Sequence, residues 1–530
     1  MKRSKLLAAR LRARGWCSAR SLLGFGRSEE GGLLVFGLLI MVLMLVAGGI
    51  AVDTMRYEAQ RTRLQATTDS AVLAAASLSQ VRDAREVVED YFDKAGLLPL
   101  LGDVTVDEGL NYRNVQVTAS TTVPTFFMRL VGIGTLQLNT LGAAEERINN
   151  VEVSLVLDLS GSMNSYNRLE NLKDAAGDFI DTLLGATSDG QISISIVPYT
   201  GQVNAGPHIL SQYDVAHAQG YSHCIDFDEA HYATTALPLS QPLVGAGHSM
   251  PFVGYGGIGG HPPLYYNCPV APGNAGLEIL PLQSNPEVLK NRINGMEALG
   301  ATSIDIGMKW GVALLDPSFR PVVDGLIAQE QVAPDYTTRP FDFDEPDTLK
   351  VAVLMTDGDN FPEYRLIEAR KSGMSDIWYN PDDNSANTYS LYNPATGHYW
   401  QRRNGSWRSQ PYGGSNAIRL SYPELLNRAT VSWIISEIYD RTRWPRISAG
   451  AWVETTNTGI KDQRLQEICA AARGAGMIVF TVAFEAPSNG RTQLRECASS
   501  MSHFFDVEGL EIRTAFRSIA VQISQLRLTQ

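Results

Sequence analysis

The spacing of apolar and polar residues changes along this chain. In the first part of the chain it predicts a membrane anchor followed by a small domain. Residues 31–52 contain no charged side chain and form an apolar stretch long enough for one membrane-spanning helix. Neither Pro nor Gly occurs between Ala51 and Ala76, so we expect the helix to continue beyond the membrane as one rod. Residues 80–95 have the apolar spacing of a helix, and alternation between about 100 and 148 predicts strands. We therefore expect an α+β region over residues 53–148, close to the membrane.

The second part, residues 149–530, predicts a doubly wound α/β domain with a parallel sheet. An apolar run begins at Val151 and is typical of a strand buried on both faces. Strand and helix patterns then alternate, which favours parallel strands joined by right-handed crossovers. Two stretches, at about 200–285 and 359–458, break the alternation and are much longer than ordinary connections, so we interpret them as insertions. Strands are predicted at 192–197, 351–356, 477–484 and 504–507, and helices at 169–183, 286–293, 304–315, 464–473, 494–500 and 510–526.

Several of the predicted strands and loops end in side chains that carry oxygen atoms. Open α/β sheets bind ligands at the carboxyl ends of their strands, so such side chains are expected to converge there. Carboxylates and hydroxyls suit a hard cation, Mg²⁺ first, with Mn²⁺ or Ca²⁺ as alternatives. The bland interpretation is that these side chains only cap helices and order turns. The candidate metal ligands are Asp158, Ser160, Ser162, Thr302 and Asp357.

The Asp-x-Ser-x-Ser sequence at Asp158, taken with Thr302 and Asp357, resembles the metal-ion-dependent adhesion site (MIDAS) of the von Willebrand factor type A (VWA) fold. The resemblance implies a Rossmann-like VWA domain over residues 149–530. It also implies that an Asp or Glu of a protein partner completes the coordination of the metal.

Motifs of several enzyme classes are absent from the sequence. No His-x-x-x-His or His-Glu-x-x-His occurs, which argues against a zinc hydrolase. Neither Ser160 nor Ser162 stands in a Gly-x-Ser-x-Gly motif, and no phosphate-binding Gly-x-x-x-x-Gly-Lys-Ser/Thr loop is found. We therefore expect no enzyme activity, with a metal-dependent hydrolase built from the insertions as the alternative.

Charge predicts the orientation of the anchor. Residues 1–30 form a tail with eight Lys or Arg and two Glu, whereas the whole chain has a formal net charge of −12. An acidic body argues against nucleic-acid binding, and the basic tail places the N-terminus in the cytoplasm. Arg56, Arg61 and Arg63 after the apolar stretch weaken this charge bias. A cleaved signal peptide is the alternative, but its apolar region would be shorter.

The cysteines predict an oxidising compartment for the body. Cys17 lies in the basic tail, and the other four cysteines follow the apolar stretch, which fits two disulfides outside the cytoplasm. No Cys-x-x-Cys occurs, so a zinc knuckle is disfavoured, and free buried cysteines remain an alternative. Four cysteines allow three connectivities, and proximity in sequence favours the pairs Cys224–Cys268 and Cys469–Cys497.

Ala51, Val52 and Asp53, with the arginines and the alanine-rich stretch that follow, resemble the N-terminal region of TadG-like proteins of the tight-adherence (Flp) pilus system. The stretch 123–127, Val-Pro-Thr-Phe-Phe, is similar to that family as well. The resemblance implies a single-pass protein of the bacterial inner membrane whose body lies in the periplasm. It would assemble or anchor the pilus by binding pilus or secretion components. The alternative from another class is a pilin-like subunit of the filament.

One motif in the tail bears on processing. The residues from Gly24 to Glu29 resemble a prepilin peptidase site, with a Gly before the cut and a Glu after it. Arg27, Ser28, Glu29 and Glu30 interrupt the apolar run that such sites precede, so we expect the N-terminus to stay uncleaved.

Overall fold

The computed structural model describes residues 30–77, 80, 82–108, 112–147, 150–185, 191–249, 261–263, 266–269, 275–345, 348–442 and 447–529. The basic segment 1–29, with Cys17 and the peptidase-like motif, lies outside the described residues. The chain divides into two compact units, Met1–Ile148 and Asn149–Gln530.

The first unit combines a long helix, a short one and a three-stranded antiparallel sheet. The 47 residues of its first helix are about 70 Å long at 1.5 Å per residue. The most apolar window of this helix has a mean hydropathy of 2.9 and is 6% buried, so its length and composition suit a membrane span. The expected uninterrupted helix is confirmed. The elements are α1 (Glu30–Ala76), α2 (Ala84–Lys94), β1 (Leu101–Glu108), β2 (Tyr112–Pro124) and β3 (Thr135–Arg147), with the strand order β1-β2-β3.

The carboxyl-terminal half of α1 packs on the other elements of the same unit. Ala71 and Ala75 are fully buried in a core that includes Val88 of α2, Val117 of β2 and Leu138 of β3. Asp83 caps the N-terminus of α2, because its side chain accepts from the backbone N–H groups of Arg85 and Glu86 in the first turn. The small residues of α1 therefore let its own sheet and α2 approach closely.

The second unit alternates strands and helices around a central sheet. In chain order its elements are β4 (Asn150–Asp158), α3 (Arg168–Leu184), β5 (Ile192–Tyr199), α4 (Gly206–Leu210), β6 (Val215–Ala216), α5 (Glu229–Tyr232), β7 (Leu243–Val244), β8 (Leu280–Gln283), α6 (Pro286–Asn294), α7 (Ile304–Ala313), α8 (Arg320–Ala328), β9 (Thr348–Thr356), β10 (Glu363–Leu366), α9 (Glu368–Lys371), β11 (Met374–Tyr379), β12 (Tyr389–Asn393), β13 (His398–Gln401), β14 (Ser406–Arg408), β15 (Ile418–Ser421), α10 (Tyr422–Leu426), α11 (Val431–Ile434), α12 (Asp440–Thr442), β16 (Val453–Thr456), α13 (Thr458–Gly474), β17 (Ile478–Phe484), α14 (Ser488–Cys497), β18 (Phe504–Val507) and α15 (Glu511–Thr529).

The central sheet has six strands in the order β18-β17-β9-β4-β5-β8. The first five pair in parallel, and β8 is antiparallel to β5 at the edge. Every residue of β4 is buried, and its side chains alternate between two cores. Val153 and Leu155 pack with Phe179 of α3 and Phe516 of α15, whereas Val156 belongs to the core that contains α7 and α13. Helices therefore cover both faces, and the predicted mixed α/β architecture with parallel strands is confirmed.

The two insertions differ from what the sequence pattern indicated. Strand β8 lies within the range assigned to the first insertion, yet it completes the central sheet. The second insertion contains its own five-stranded antiparallel sheet, in the order β14-β13-β12-β11-β15, with a separate core. Strands β10 and β16, near the two ends of this insertion, pair with each other.

The disulfide pairs are the ones that sequence proximity favours. Cys224 and Cys268 are bonded within the first insertion, with Cα atoms 5.7 Å apart. Cys469 and Cys497 join α13 to α14, with Cα atoms 5.2 Å apart. This part of the cysteine prediction is confirmed.

Two predicted helices have different boundaries in the structure. The helix predicted at 464–473 begins at Thr458, and the helix predicted at 494–500 begins at Ser488 and ends at Cys497. Gly490 lies in its first turn, and a Cβ there would be 2.4 Å from the Gly358 carbonyl oxygen. The start of the helix thus depends on close backbone packing, which an apolar period does not reveal.

Candidate metal centre

The candidate metal ligands lie at one edge of the central sheet, where β4 and β9 end. These neighbouring parallel strands are in register, with Leu157 opposite Met355, so the residues that follow leave the sheet side by side. A third segment reaches this edge because the Gly161 N–H donates to the Gly300 carbonyl oxygen at 3.1 Å. A Cβ on Gly161 would lie 3.2 Å from that oxygen, so the approach favours glycine.

Hydrogen bonds join four of the five candidate ligands. Asp158 Oδ1 accepts from the Ser160 backbone N–H at 2.7 Å. The hydroxyls of Ser160 and Ser162 lie 3.0 Å apart, and Ser162 Oγ donates to Asp357 Oδ1 at 2.6 Å. The second oxygen of Asp158 accepts from Thr356 Oγ1 at 2.5 Å. The two carboxylates are therefore connected through Ser160, by its backbone N–H and its hydroxyl, and through the Ser162 hydroxyl.

Thr302 lies beside them, and its hydroxyl makes no hydrogen bond within the described part of the chain. Its hydrogen bonds there are all accepted by its carbonyl oxygen. A Cβ on Gly358 would lie 3.7 Å from Thr302 Oγ1, which places this hydroxyl against the turn that carries Asp357. The neighbouring Ser303 hydroxyl donates to the Gly201 carbonyl oxygen at 2.8 Å. Of the two adjacent hydroxyls, that of Thr302 is the one available to a ligand.

The site contains two buried carboxylates close to each other, and the pKa of each is raised. Asp158 is fully buried, and burial together with the charge of Asp357 raises its pKa to about 7. Burial also raises the pKa of Asp357, although Ser162 and Arg168 donate to it and oppose the shift. Each carboxylate would therefore be stabilised by an additional positive charge.

Sequence reasoning missed one cation at the site. Arg168 donates from its Nη1 to Asp357 Oδ2 at 2.8 Å and from its Nε to Glu485 Oε2 at 2.8 Å. Two left-handed residues, Tyr166 with φ 55° and Asn167 with φ 60°, precede it. The signal in the sequence was a basic residue in the first turn of a helix, where the helix dipole disfavours positive charge.

The donor set fits a divalent cation with hard-ligand preferences. Two carboxylates and three hydroxyls supply only oxygen, which Mg²⁺ prefers. No group of three or more His, Cys, Asp or Glu side chains that could hold a metal was found in the ranges that the structure describes. A metal at this edge would therefore depend on hydroxyl oxygens in addition to Asp158 and Asp357.

Comparison with known families gives one sequence match. The family described as "Putative Flp pilus-assembly TadE/G-like" matches residues 31–78, which is a small part of the 530-residue chain. The match covers every residue of α1 except Glu30, the apolar stretch included. No curated protein sequence matches the chain.

Solved structures of bacterial pilus proteins are among those similar to this chain. The vWF domain of the type V pili tip protein Mfa5 from Porphyromonas gingivalis is 12% identical, with a TM-score of 0.32, over 71% of this chain and 96% of that one. The pilus adhesin SpaC from Lactobacillus rhamnosus GG is 12% identical, with a TM-score of 0.31, over 80% of this chain and 34% of that one. The adhesive tip pilin GBS104 from Group B Streptococcus agalactiae is 14% identical, with a TM-score of 0.33, over 71% of this chain and 100% of that one. TM-scores in this range do not establish a shared fold.

Proposed function

We propose that this chain is a membrane-anchored protein of the bacterial envelope whose second unit, a VWA-type domain, binds a protein partner through a metal ion. The observation that carries the proposal is that Asp158, Ser160, Ser162 and Asp357 lie together, with both carboxylates buried. The Thr302 hydroxyl, which makes no hydrogen bond within the described residues, lies beside them. Mg²⁺ is the metal proposed, with Mn²⁺ and Ca²⁺ as substitutes. No catalytic role is proposed.

The residues of the chain have separate tasks in this proposal. Asp158 and Asp357 supply negative charge, and the three hydroxyls supply neutral oxygen atoms. Thr356 holds Asp158 in place, and Arg168 donates to Asp357 and offsets part of its negative charge. A bound Mg²⁺ would contribute positive charge able to attract an Asp or Glu side chain of the partner.

The membrane and the pilus enter the proposal through the first unit. Its apolar helix suits a single span, and the sequence match to the TadE/G-like family covers residues 31–78. We therefore propose that the protein lies in the inner membrane with a cytoplasmic N-terminus. Its body would lie in the periplasm and take part in assembling or anchoring a Flp pilus.

Calorimetric titration of the detergent-solubilised full chain with Mg²⁺ and Mn²⁺ tests the metal site. Asp158→Asn should abolish binding, because it removes one of only two carboxylates. Asp316→Asn is the matched control, since Asp316 is also buried but accepts from Thr235 and Ser318 elsewhere in the unit. Equal metal affinity in wild type and Asp158→Asn would refute the site.

A further inference from the structure

The turn between β2 and β3 in the first unit exposes a cluster of large apolar side chains. This tip comprises residues 125–134 and contains one short 3₁₀ turn, Met128–Val131. Single exposed apolar residues are ordinary, whereas a contiguous cluster marks an interaction surface. The exposed fractions are 64% for Phe126, 42% for Phe127, 77% for Leu130, 52% for Val131 and 42% for Ile133.

The tip lies directly against the apolar stretch of α1. A Cβ placed on Gly49 would be 2.5 Å from the Cβ of Phe127, so glycine is what permits this contact. One turn later, the buried carboxylate of Asp53 accepts from the backbone N–H groups of the tip. The donors are Phe126 at 3.0 Å, Phe127 at 2.7 Å and Met128 at 2.8 Å.

These bonds explain how a carboxylate can stand where the apolar stretch ends. Burial alone would raise the pKa of Asp53, but the three backbone donors outweigh it, and the pKa lies below its ordinary value. Asp53 therefore joins the tip to α1 through three backbone hydrogen bonds. Gly49 and Asp53 are four residues apart, about 6 Å along the helix axis. The tip consequently lies at the level where α1 leaves its apolar stretch.

Cationic side chains accompany the apolar ones at this level. The Arg56 guanidinium lies over the Phe126 ring, 4.1 Å from its centre, and Arg129 is exposed within the tip. Apolar side chains beside arginines suit the boundary between acyl chains and lipid phosphates.

We propose that residues 125–134 insert into the membrane surface, so that the first unit contacts lipid at a second place besides α1. This inference rests on the proposed membrane span of α1. The lipid occupant follows from continuity, because the tip contacts Gly49 inside the apolar stretch itself. The contacts of Asp53 and Gly49 hold the tip against α1 and so fix its depth in the membrane.

Site-specific fluorescence on the full chain tests the proposal. In a Cys17→Ser background, Leu130→Cys is labelled with an environment-sensitive dye, and the protein is reconstituted into phosphatidylcholine–phosphatidylglycerol vesicles. The emission should shift to the blue and should be quenched by lipids that carry a nitroxide near the headgroup. Leu141→Cys is the control, because Leu141 is also exposed but its carbonyl oxygen lies beside Gln65, about 24 Å farther along α1 than Gly49.

A pair of glycine variants tests whether the contact between Gly49 and Phe127 holds the tip at this depth. Gly49→Leu keeps α1 apolar but collides with Phe127, so it should move the dye at residue 130 into water. Gly48→Leu is the matched control, because a Cβ at Gly48 meets nothing within 4 Å. Gly48→Leu should leave the emission unchanged.

Two results would overturn the proposal. Quenching of the dye at residue 130 by aqueous iodide, equal to that at residue 141, would show that the tip stays in water. Shielding from both iodide and nitroxide lipid would show that a protein covers the tip. Vesicle flotation and alkaline extraction report on the α1 span independently, so a failed span is distinguished from a failed tip.

Discussion

Replacing Lys461 by Met should loosen the Thr302 segment and weaken metal binding, although Lys461 itself is not a candidate ligand. Lys461 is fully buried, and its Nζ donates to the Thr302 carbonyl oxygen at 3.4 Å and to the Ser303 hydroxyl. It also lies 3.5 Å from Asp305 Oδ1. Asp305 is fully buried, its two oxygens accept no hydrogen bond within the described residues, and its second cation, Arg464, is 3.9 Å away.

The magnitude follows from the charge left behind. Breaking a buried ion pair by removing one partner costs about 3–5 kcal/mol. The value for Lys461→Met should lie near the lower end, about 3 kcal/mol, because Arg464 still faces Asp305. In an Asp305→Asn background the same change leaves no unpaired carboxylate. It should then cost about 1–2 kcal/mol, the value of the lost hydrogen bonds.

Urea unfolding followed by tryptophan fluorescence measures these values in the second unit, because seven of the eight tryptophans follow residue 300. Calorimetry with Mg²⁺ measures the effect on the site. Affinity should fall about tenfold, or about 1.4 kcal/mol, since the Thr302 carbonyl keeps its other donor, the Phe361 N–H at 2.9 Å.

Lys309 provides the matched control. It is a buried lysine on α7 whose Nζ donates to the carbonyl oxygens of Thr234 and Ala236, at 2.7 and 2.9 Å. Lys309→Met should leave the affinity for Mg²⁺ unchanged. Equal costs of Lys461→Met in both backgrounds, or equal loss of metal affinity in both lysine variants, would refute the reasoning.

Three further predictions concern the site and the cysteines. Arg168→Gln should raise the affinity for Mg²⁺ roughly fivefold in calorimetry, because it removes a positive charge next to Asp357; a loss of affinity would mean that the guanidinium chiefly positions that carboxylate. The pKa of Asp158 is raised from 3.8 to about 7, so without metal its contribution to stability is present below pH 3.8 and is lost as the pH rises to about 7. The urea midpoint should therefore fall over that range, and Asp158→Asn should remove this component; a midpoint with the same pH dependence in both proteins would contradict the assignment. Thiol titration of the denatured, unreduced chain should find one reactive thiol, and more than one would contradict the two disulfides that join Cys224, Cys268, Cys469 and Cys497.

The convergence of the candidate ligands could be predicted from the sequence because it depends on little more than strand direction. Parallel neighbouring strands end at the same edge of a sheet, so Asp158 and Asp357 had to approach each other once β4 and β9 were adjacent. No strand precedes Thr302, so it was predicted from its place just before the helix pattern at 304–315, and the resemblance to the adhesion site supported it. Arg168 needed the structure, because its reach to Glu485 crosses 317 positions of sequence.

The second insertion could not be predicted because its strands carry no usable period. They are three to six residues long, and aromatic side chains stand on both faces of the sheet. Trp400 is buried in the insertion core, whereas the rings of Trp378 and Tyr399 meet on the other face, 5.5 Å apart. Turns dominated the pattern instead, as at Asp383, whose side chain accepts from the Ser385 N–H at 2.9 Å.

Buried polar groups bond the two insertions to each other and bond the second insertion to the Thr302 segment. Gln202, at the start of the first insertion, donates to Glu363 of the second at 2.8 Å. Lys371 of the second insertion lies 3.0 Å from Asp226 of the first, and both side chains are buried.

A buried charge that has lost its partner destabilises a fold, so each insertion stabilises the other through these contacts. The Asn360 side chain, at the start of the second insertion, accepts from the Ile304 N–H at 2.8 Å, two residues after Thr302. The start of the second insertion is therefore bonded directly to the segment that carries Thr302, and the first insertion is bonded to the second.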